Sequence, residues 1–210
     1  FTYAPEILPT ELGRSVSGLR VGLLSQNERA DIDPGVLARY DDACRMLDGL
    51  GAVCRVVEMP EPFAAIRSRC GALIMSEGFR ATRHWIERED LKLDANVRAR
   101  LLGGGRASAA DYQGFLADRE VTRETWAQAM RGIDAFLTPT SPQVAPRLED
   151  VDEQSFTLAR FTRAGNYLDL AAVALPLGLV NGLPTSLQIH TRPGAERKAL
   201  EIAAAINAAL

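Results

Sequence analysis

Two short apolar runs bracket one amphipathic helix within the first 60 residues, and few folds accommodate that arrangement. LRVGLLS (19–25) suits a buried strand, and VCRVVEM (53–59) is a second strand ended by Pro60. Between them, Asp33-Pro34 reads as a helix start, with aspartate as N-cap and proline in the first helical position. Val36, Leu37, Tyr40, Ala43, Cys44, Leu47 and Leu50 recur at helical spacing as one apolar stripe, and Gly51 stops the helix. Strand, helix and strand in about 40 residues make a βαβ unit with a right-handed crossover. The intervening loop, SQNERADID, has no GxGxxG, so a dinucleotide site is not read there.

Residues 62–131 read as helical. One helix runs from Phe63 to about Arg88, with a break expected near Gly71 or Gly78, and a second runs from Asp94 to Leu102. A third runs from Ala109 to about Arg131, with Tyr112, Phe115, Leu116, Thr122, Trp126 and Met130 available for burial. GGGRAS (103–108) could cradle a phosphate or an oxyanion. No strand precedes these glycines and no Lys-Ser or Lys-Thr follows them. They therefore read as a connector in which Ser108 caps the next helix, with Asp111 at the capping-box position.

Ile133–Thr138 is a strand whose exit, PTSPQVAP (139–146), is stiffened by three prolines. A short helix is expected at 153–164. Ala171–Leu177 and Ser186–His190 then read as an antiparallel hairpin around Asn181-Gly182. Pro176 and Pro184 cannot donate ladder hydrogen bonds, so they are expected where the strands leave the sheet, near a pocket rim. A final helix, Ala195–Leu210, turns Leu200, Ile202, Ala203 and Ile206 onto that sheet. The expected fold is α/β: one domain over 1–210, with a mixed central β-sheet and helices on both faces. It comprises the βαβ unit 19–60, the helical region 62–131 and the strand, hairpin and helix of 133–210.

Composition excludes several functions. Apolar residues make up 47% and charged residues 24%, which is ordinary for a globular chain. A net charge of −3 gives no general attraction to nucleic acid or acidic lipid. Arginines between 67 and 106 alternate with Glu77, Glu87, Glu89, Asp90 and Asp94, the pattern of a solvated face. No apolar run approaches the roughly 20 residues a membrane span needs. FTYAPEILPT lacks the features of a signal peptide, and without an initial Met it is expected to be an interior point of a longer chain. Cys44, Cys54 and Cys70 fit no ligand spacing and read as buried thiols in a reducing cytoplasm. Two histidines and no HExxH motif give no metal site.

Taken in order, three segments carry a resemblance: DAFLTPTSPQVAP (134–146), RFTRAGNYLDLAAVALPLG (160–178) and GLPTSLQIH (182–190). They resemble the C-terminal half of the amidase signature family. GLRVGLL (18–24) with residues 33–60, and NVRARLLGGGRASAADYQGFLADREVTR (96–123), extend the likeness over essentially the whole chain. The resemblance implies a hydrolase of carboxamide C–N bonds acting on a small amide without metal or organic cofactor. It implies a nucleophilic Ser, a second Ser on a cis peptide bond, a Lys base and a Gly/Ser-rich oxyanion loop, all in an N-terminal half.

None of these elements is in this sequence. There is no Ser-Ser pair, and the two lysines, Lys92 and Lys198, match neither the catalytic lysine nor its context. No catalytic residue is therefore assigned. The chain is expected to be inactive alone and to have the N-terminal half of the same enzyme as its partner, with homo-oligomerisation open. The alternatives are a non-catalytic α/β binding or scaffold module, or a protein resembling the A-type component of an amidotransferase.

Four residues are candidates for substrate binding. Arg123 stands where related amidotransferase components hold a substrate carboxylate; the other reading is a surface arginine paired with Glu120 or Glu124. Thr138 and Thr140 are expected at the pocket mouth, or in strand-end turn chemistry. Asn166 is either a backbone-pinning side chain or a substrate ligand. The acid that those components use for a substrate amine is matched here by Ala195, which argues against glutamine as substrate.

Overall fold

The computed structural model describes residues 12, 13, 15–151 and 158–210. Five strands and seven α-helices lie among them. The strands are β1 (Arg20–Leu24), β2 (Val53–Val57), β3 (Ala135–Pro139), β4 (Ala171–Val180) and β5 (Leu183–Thr191). The helices are α1 (Gln26–Arg29), α2 (Pro34–Gly49), α3 (Phe63–Ile86), α4 (Ala95–Gly104), α5 (Ala109–Ala129), α6 (Thr162–Tyr167) and α7 (Glu196–Ala209). The strands form one mixed sheet in the order β2-β1-β3-β5-β4. β1 runs parallel to both β2 and β3, while β5 is antiparallel to β3 and β4.

The βαβ unit forms as its residues dictate. The Asp33 side chain accepts from the N–H groups of Gly35 and Val36, and Pro34 opens the helix. Val36, Tyr40, Ala43, Cys44 and Leu47 then enter the core. Gly51 leaves α2 at φ +91°, a conformation that a side chain would strain. The SQNERADID loop carries the additional short helix α1, whose Glu28 is buried. Glu28 accepts from the Phe63 N–H at the start of α3 (3.0 Å) and pairs with Arg160 (2.7 Å).

Helices α2 and α7 pack together on one face of the sheet, and α3, α5 and α6 form the opposite layer. Phe63 of α3 and Trp126 of α5 meet Phe136 of β3 at ring-centroid distances of 6.0 and 5.7 Å. Buried aromatics thus join two helices to the central strand. Thr122 and Trp126 are the fully buried residues of α5; Tyr112, Phe115, Leu116 and Met130 are only partly buried.

The structure corrects three expectations. First, α3 is continuous through Gly71 and Gly78. Gly78 serves packing, since a Cβ there would lie 2.6 Å from Leu101 Cδ2 of α4, whereas a Cβ on Gly71 would meet nothing within 4 Å. On the α4 side, a Cβ on Gly104 would sit 2.0 Å from the Met75 carbonyl oxygen. The glycine-rich stretch therefore lets two helix backbones approach, and Ser108 and Asp111 complete a capping box for α5.

Second, the hairpin strands run past their prolines. Asn181 (φ 52°) and Gly182 (φ 78°) make the tight turn, but Pro176 pairs with Ser186 and Pro184 with Leu179. β4 is an edge strand, and Pro184 lies beyond the ladder with β3, so neither proline deprives an inner ladder of a donor. A register shift between Pro176 and Leu179 takes up the irregularity.

Third, the helix expected at 153–164 falls partly outside the described residues, and α6 begins at Thr162. The other edge of the sheet, β2, exposes Val53 and Val56.

Thr138, Gln188 and His190 share the sheet face under α5 and α6, and all are buried. Burial without a charged partner pushes the His190 imidazole down to about 4, so it is neutral inside the protein.

This packing can be probed at two positions. Gly104→Ala should force α4 off α3 and cost about 1–3 kcal/mol, read as a lower urea midpoint. His190 titrates near 6.5 unfolded but near 4 folded, so between these values the unfolded chain binds more protons. Stability should therefore fall as pH drops through that window, by about 3 kcal/mol from this group. His190→Leu, which cannot titrate, should lose correspondingly less stability between about pH 7 and 4.5 in parallel urea titrations.

Candidate functional site

A cavity of about 380 Å³ opens where β5 ends and β3 begins, beneath the C-terminal half of α5. Strand β5 delivers His190, Thr191 and Arg192 to it. The start of β3 delivers Ile133 and Asp134, and α5 delivers Arg123 and Trp126. Leu168 and Leu170, which flank the turn between α6 and β4, complete the apolar wall.

The helical period places Glu120, Arg123, Glu124 and Ala127 on one side of α5, above this opening. Nη1 of Arg123 donates to Glu120 (2.9 Å), and its Nε lies 3.4 Å from Asp169 Oδ2. Nη2 has no protein partner among the described residues. The arginine is therefore both a surface partner of Glu120 and a lining residue, with one nitrogen, Nη2, left for an anion.

Deeper in, His190 is 1% exposed. Its Nε2 lies 3.4 Å from Thr138 Oγ1, and its buried Nδ1 has no partner among the described residues. The indole N–H of Trp126 is likewise buried without a partner among them. Both atoms are fully enclosed, as are the unpartnered Thr140 Oγ1, Ser141 Oγ and Gln188 Oε1 outside the cavity lining. With His190 neutral, the floor can donate and accept hydrogen bonds without bringing in charge.

Among the described residues, the lining holds no serine, cysteine or lysine. Lys198 lies nearby, but its ammonium is paired with Asp134 (2.9 Å), which also receives the Arg20 N–H (2.9 Å). No group of three His, Cys, Asp or Glu among the described residues could hold a metal ion. The arrangement can bind and orient an acceptor-bearing ligand; its described lining provides no hydroxyl nucleophile paired with a base.

Of the four residues singled out from the sequence, Arg123 lines the cavity. Thr138 sits behind His190, touching it from β3. Thr140 lies past the opposite end of β3, where its N–H donates to Ser186 O (2.9 Å) and its buried hydroxyl lacks a partner among the described residues. Asn166 is exposed on α6, and its carbonyl accepts from Arg119 (3.3 Å). Of the four, only Arg123 lines the cavity; Thr138 reaches it only through its contact with His190, and Thr140 and Asn166 lie away from it.

Pro176 and Pro184 also lie at the far end. Because β5 is antiparallel to β3, the hairpin turn and the PTSP exit share the end opposite the cavity. Sequence reasoning passed over His190 as a site residue. Its signal was the period-two alternation of SLQIH, which puts Gln188 and His190 on the inward face.

Comparison with known proteins gives a consistent picture. A family model described as Amidase matches residues 4–200. The 2-amino-5-chloromuconic acid deaminase of Comamonas testosteroni is 31% identical over 214 residues, covering 96% of this chain and 45% of the deaminase. The A-type component of the glutamyl-tRNA(Gln) amidotransferase of Thermotoga maritima is 25% identical over 224 residues, covering 94% of this chain and 47% of that protein. A crystal structure of an amidase superposes with a TM-score of 0.83 at 25% identity, over 94% of this chain and 47% of the other. The chain spans just under half the length of each of these relatives. Sheet order, helix layers and the family match agree: this chain belongs to the amidase family, whose members carry the amidase signature.

Proposed function

We propose that these 210 residues form the substrate-holding wall of an enzyme that hydrolyses the C–N bond of a small carboxamide. The nucleophilic Ser, its Ser partner and the Lys base come from outside them. The carrying observation is the cavity itself, which is lined by Arg123, Trp126 and His190 and, among the described residues, by no serine, cysteine or lysine. Hydroxyl attack on an amide needs a proton acceptor and donors for the developing oxyanion. This wall lacks the serine and lysine of that chemistry, but it can fix the substrate's orientation, which is worth a large part of a barrier in itself.

The substrate best suited to the cavity is an amide bearing a carboxylate, held by Arg123. The relatives divide by name into tRNA amidotransferase components and a deaminase of 2-amino-5-chloromuconic acid, itself an organic acid. Ala195, at the N-cap of α7, has no carboxylate to hold a substrate amine, and this favours an acid without an α-amino group over glutamine. The free thiols of Cys44, Cys54 and Cys70 suit a reducing compartment. No helix among the described residues is long and apolar enough to cross a membrane.

Two outcomes test this reading. A fluorophosphonate probe should leave the isolated 210-residue chain unmodified by mass spectrometry; a covalent adduct on any side chain, or steady amide turnover, contradicts it. In the enzyme carrying its catalytic Ser and Lys, Arg123→Ala should lower kcat/KM for a carboxylate-bearing amide by about 10- to 100-fold, chiefly through KM. An amide lacking the carboxylate should be turned over unchanged.

A further inference from the structure

We infer that Asp169 is a positioning residue that holds Arg123 in its substrate-binding geometry from behind the cavity wall. This inference rests on the reading of Arg123 as a carboxylate holder. Asp169 follows the last turn of α6 with φ 54°, one of only two non-glycine residues among those described with positive φ. The other, Asn181, belongs to the hairpin turn, where asparagine is a favoured residue. A helix exit in this conformation ordinarily takes glycine, because a Cβ there is strained. Aspartate tolerates the left-handed region better than most residues, yet still less freely than glycine.

The carboxylate has a use that glycine could not serve. Oδ1 of Asp169 accepts from Arg119 Nη2, and Oδ2 lies 3.4 Å from Arg123 Nε. Arg119 is in turn fixed by the Tyr167 carbonyl (2.8 Å) and the Asn166 carbonyl (3.3 Å). The end of α6 thus grips two arginines one helical turn apart on α5. Leu168 and Leu170 line the cavity, whereas Asp169 between them does not. Its side chain engages Arg123 through Nε, and Glu120 takes Nη1, which leaves Nη2 for a ligand. Holding a long, rotamer-rich side chain before the ligand arrives removes an ordering cost from binding.

The turn conformation and the charge can be separated experimentally. Asp169→Gly relieves the backbone and removes the carboxylate, and Asp169→Asn keeps the shape and removes the charge. The probe is succinamate, with butyramide as the comparator lacking a carboxylate. Binding is read on the 210-residue chain through Trp126 fluorescence in a Trp85→Phe background, since these are the two tryptophans and Trp126 lines the cavity.

Both Asp169 variants should weaken succinamate about tenfold, leave the butyramide response unchanged and keep the melting temperature within a few degrees of the parent. Unchanged succinamate affinity in Asp169→Gly overturns the inference, as does equal weakening of both probes with a lowered melting temperature, the signature of a purely structural role. Arg123→Ala distinguishes the two levels. If it weakens succinamate while Asp169→Gly does not, only the positioning role fails. If neither variant has an effect, or the parent does not bind succinamate, the reading of Arg123 fails as well.

Discussion

At the centre of the sheet a short ladder between β1 and β3 is extended by one phenol. β1 and β3 pair only at Val21 with Ala135 and Gly22 with Phe136, and their ladder stops there. Beyond it, the Tyr40 hydroxyl accepts from the Leu24 N–H (2.9 Å) and donates to the Leu137 carbonyl (3.3 Å). A side chain from α2 therefore replaces the missing ladder bond between two buried strands. Burial, reinforced by neighbouring Cys44, raises the phenol well above its ordinary pKa and keeps the proton it donates in place. The parallel βαβ half and the antiparallel hairpin half meet across this junction. The relative position of Arg123, Trp126 and His190 is set by β3, because α5 is seated on Phe136 and β5 is paired to β3.

The site follows from this arrangement. Tyr40 and the PTSP exit occupy one end of β3, and the cavity opens at the other. Polar groups divide between them: the buried Glu28–Arg160 pair secures α1 and the start of α3 at the first end. Both ends keep buried polar atoms without a partner among the described residues: Thr140 Oγ1, Ser141 Oγ and Arg160 Nε at the first, His190 Nδ1 and Trp126 Nε1 at the second. Unpaired buried donors are costly wherever they lie, so what distinguishes the second end is its cavity with Arg123 in the lining.

Much of the architecture was legible in the residues. Asp33-Pro34, the stripe through Leu47, the Asn181-Gly182 turn and the Ser108–Asp111 cap each act locally, so their elements formed where local chemistry put them. Features that depend on distant partners were not legible. Gly78 looks like a helix breaker until Leu101 is seen against it, and Pro176 looks like a strand end until β4 is known to be an edge. Arg123 was legible as a candidate through family resemblance, but its grip by Asp169 depends on α6 meeting α5. Thr140 and Asn166 were attractive by residue type, but the antiparallel sense of β5 puts Thr140 at the end opposite the cavity, and Asn166 is exposed on α6.

The open flank at β2 bears on the behaviour of the whole chain. Val53 and Val56 stand in water on a strand whose outer amide groups await a neighbour. Such a margin is a template for intermolecular strand addition. Concentration, more than temperature, should then govern how this polypeptide behaves in solution.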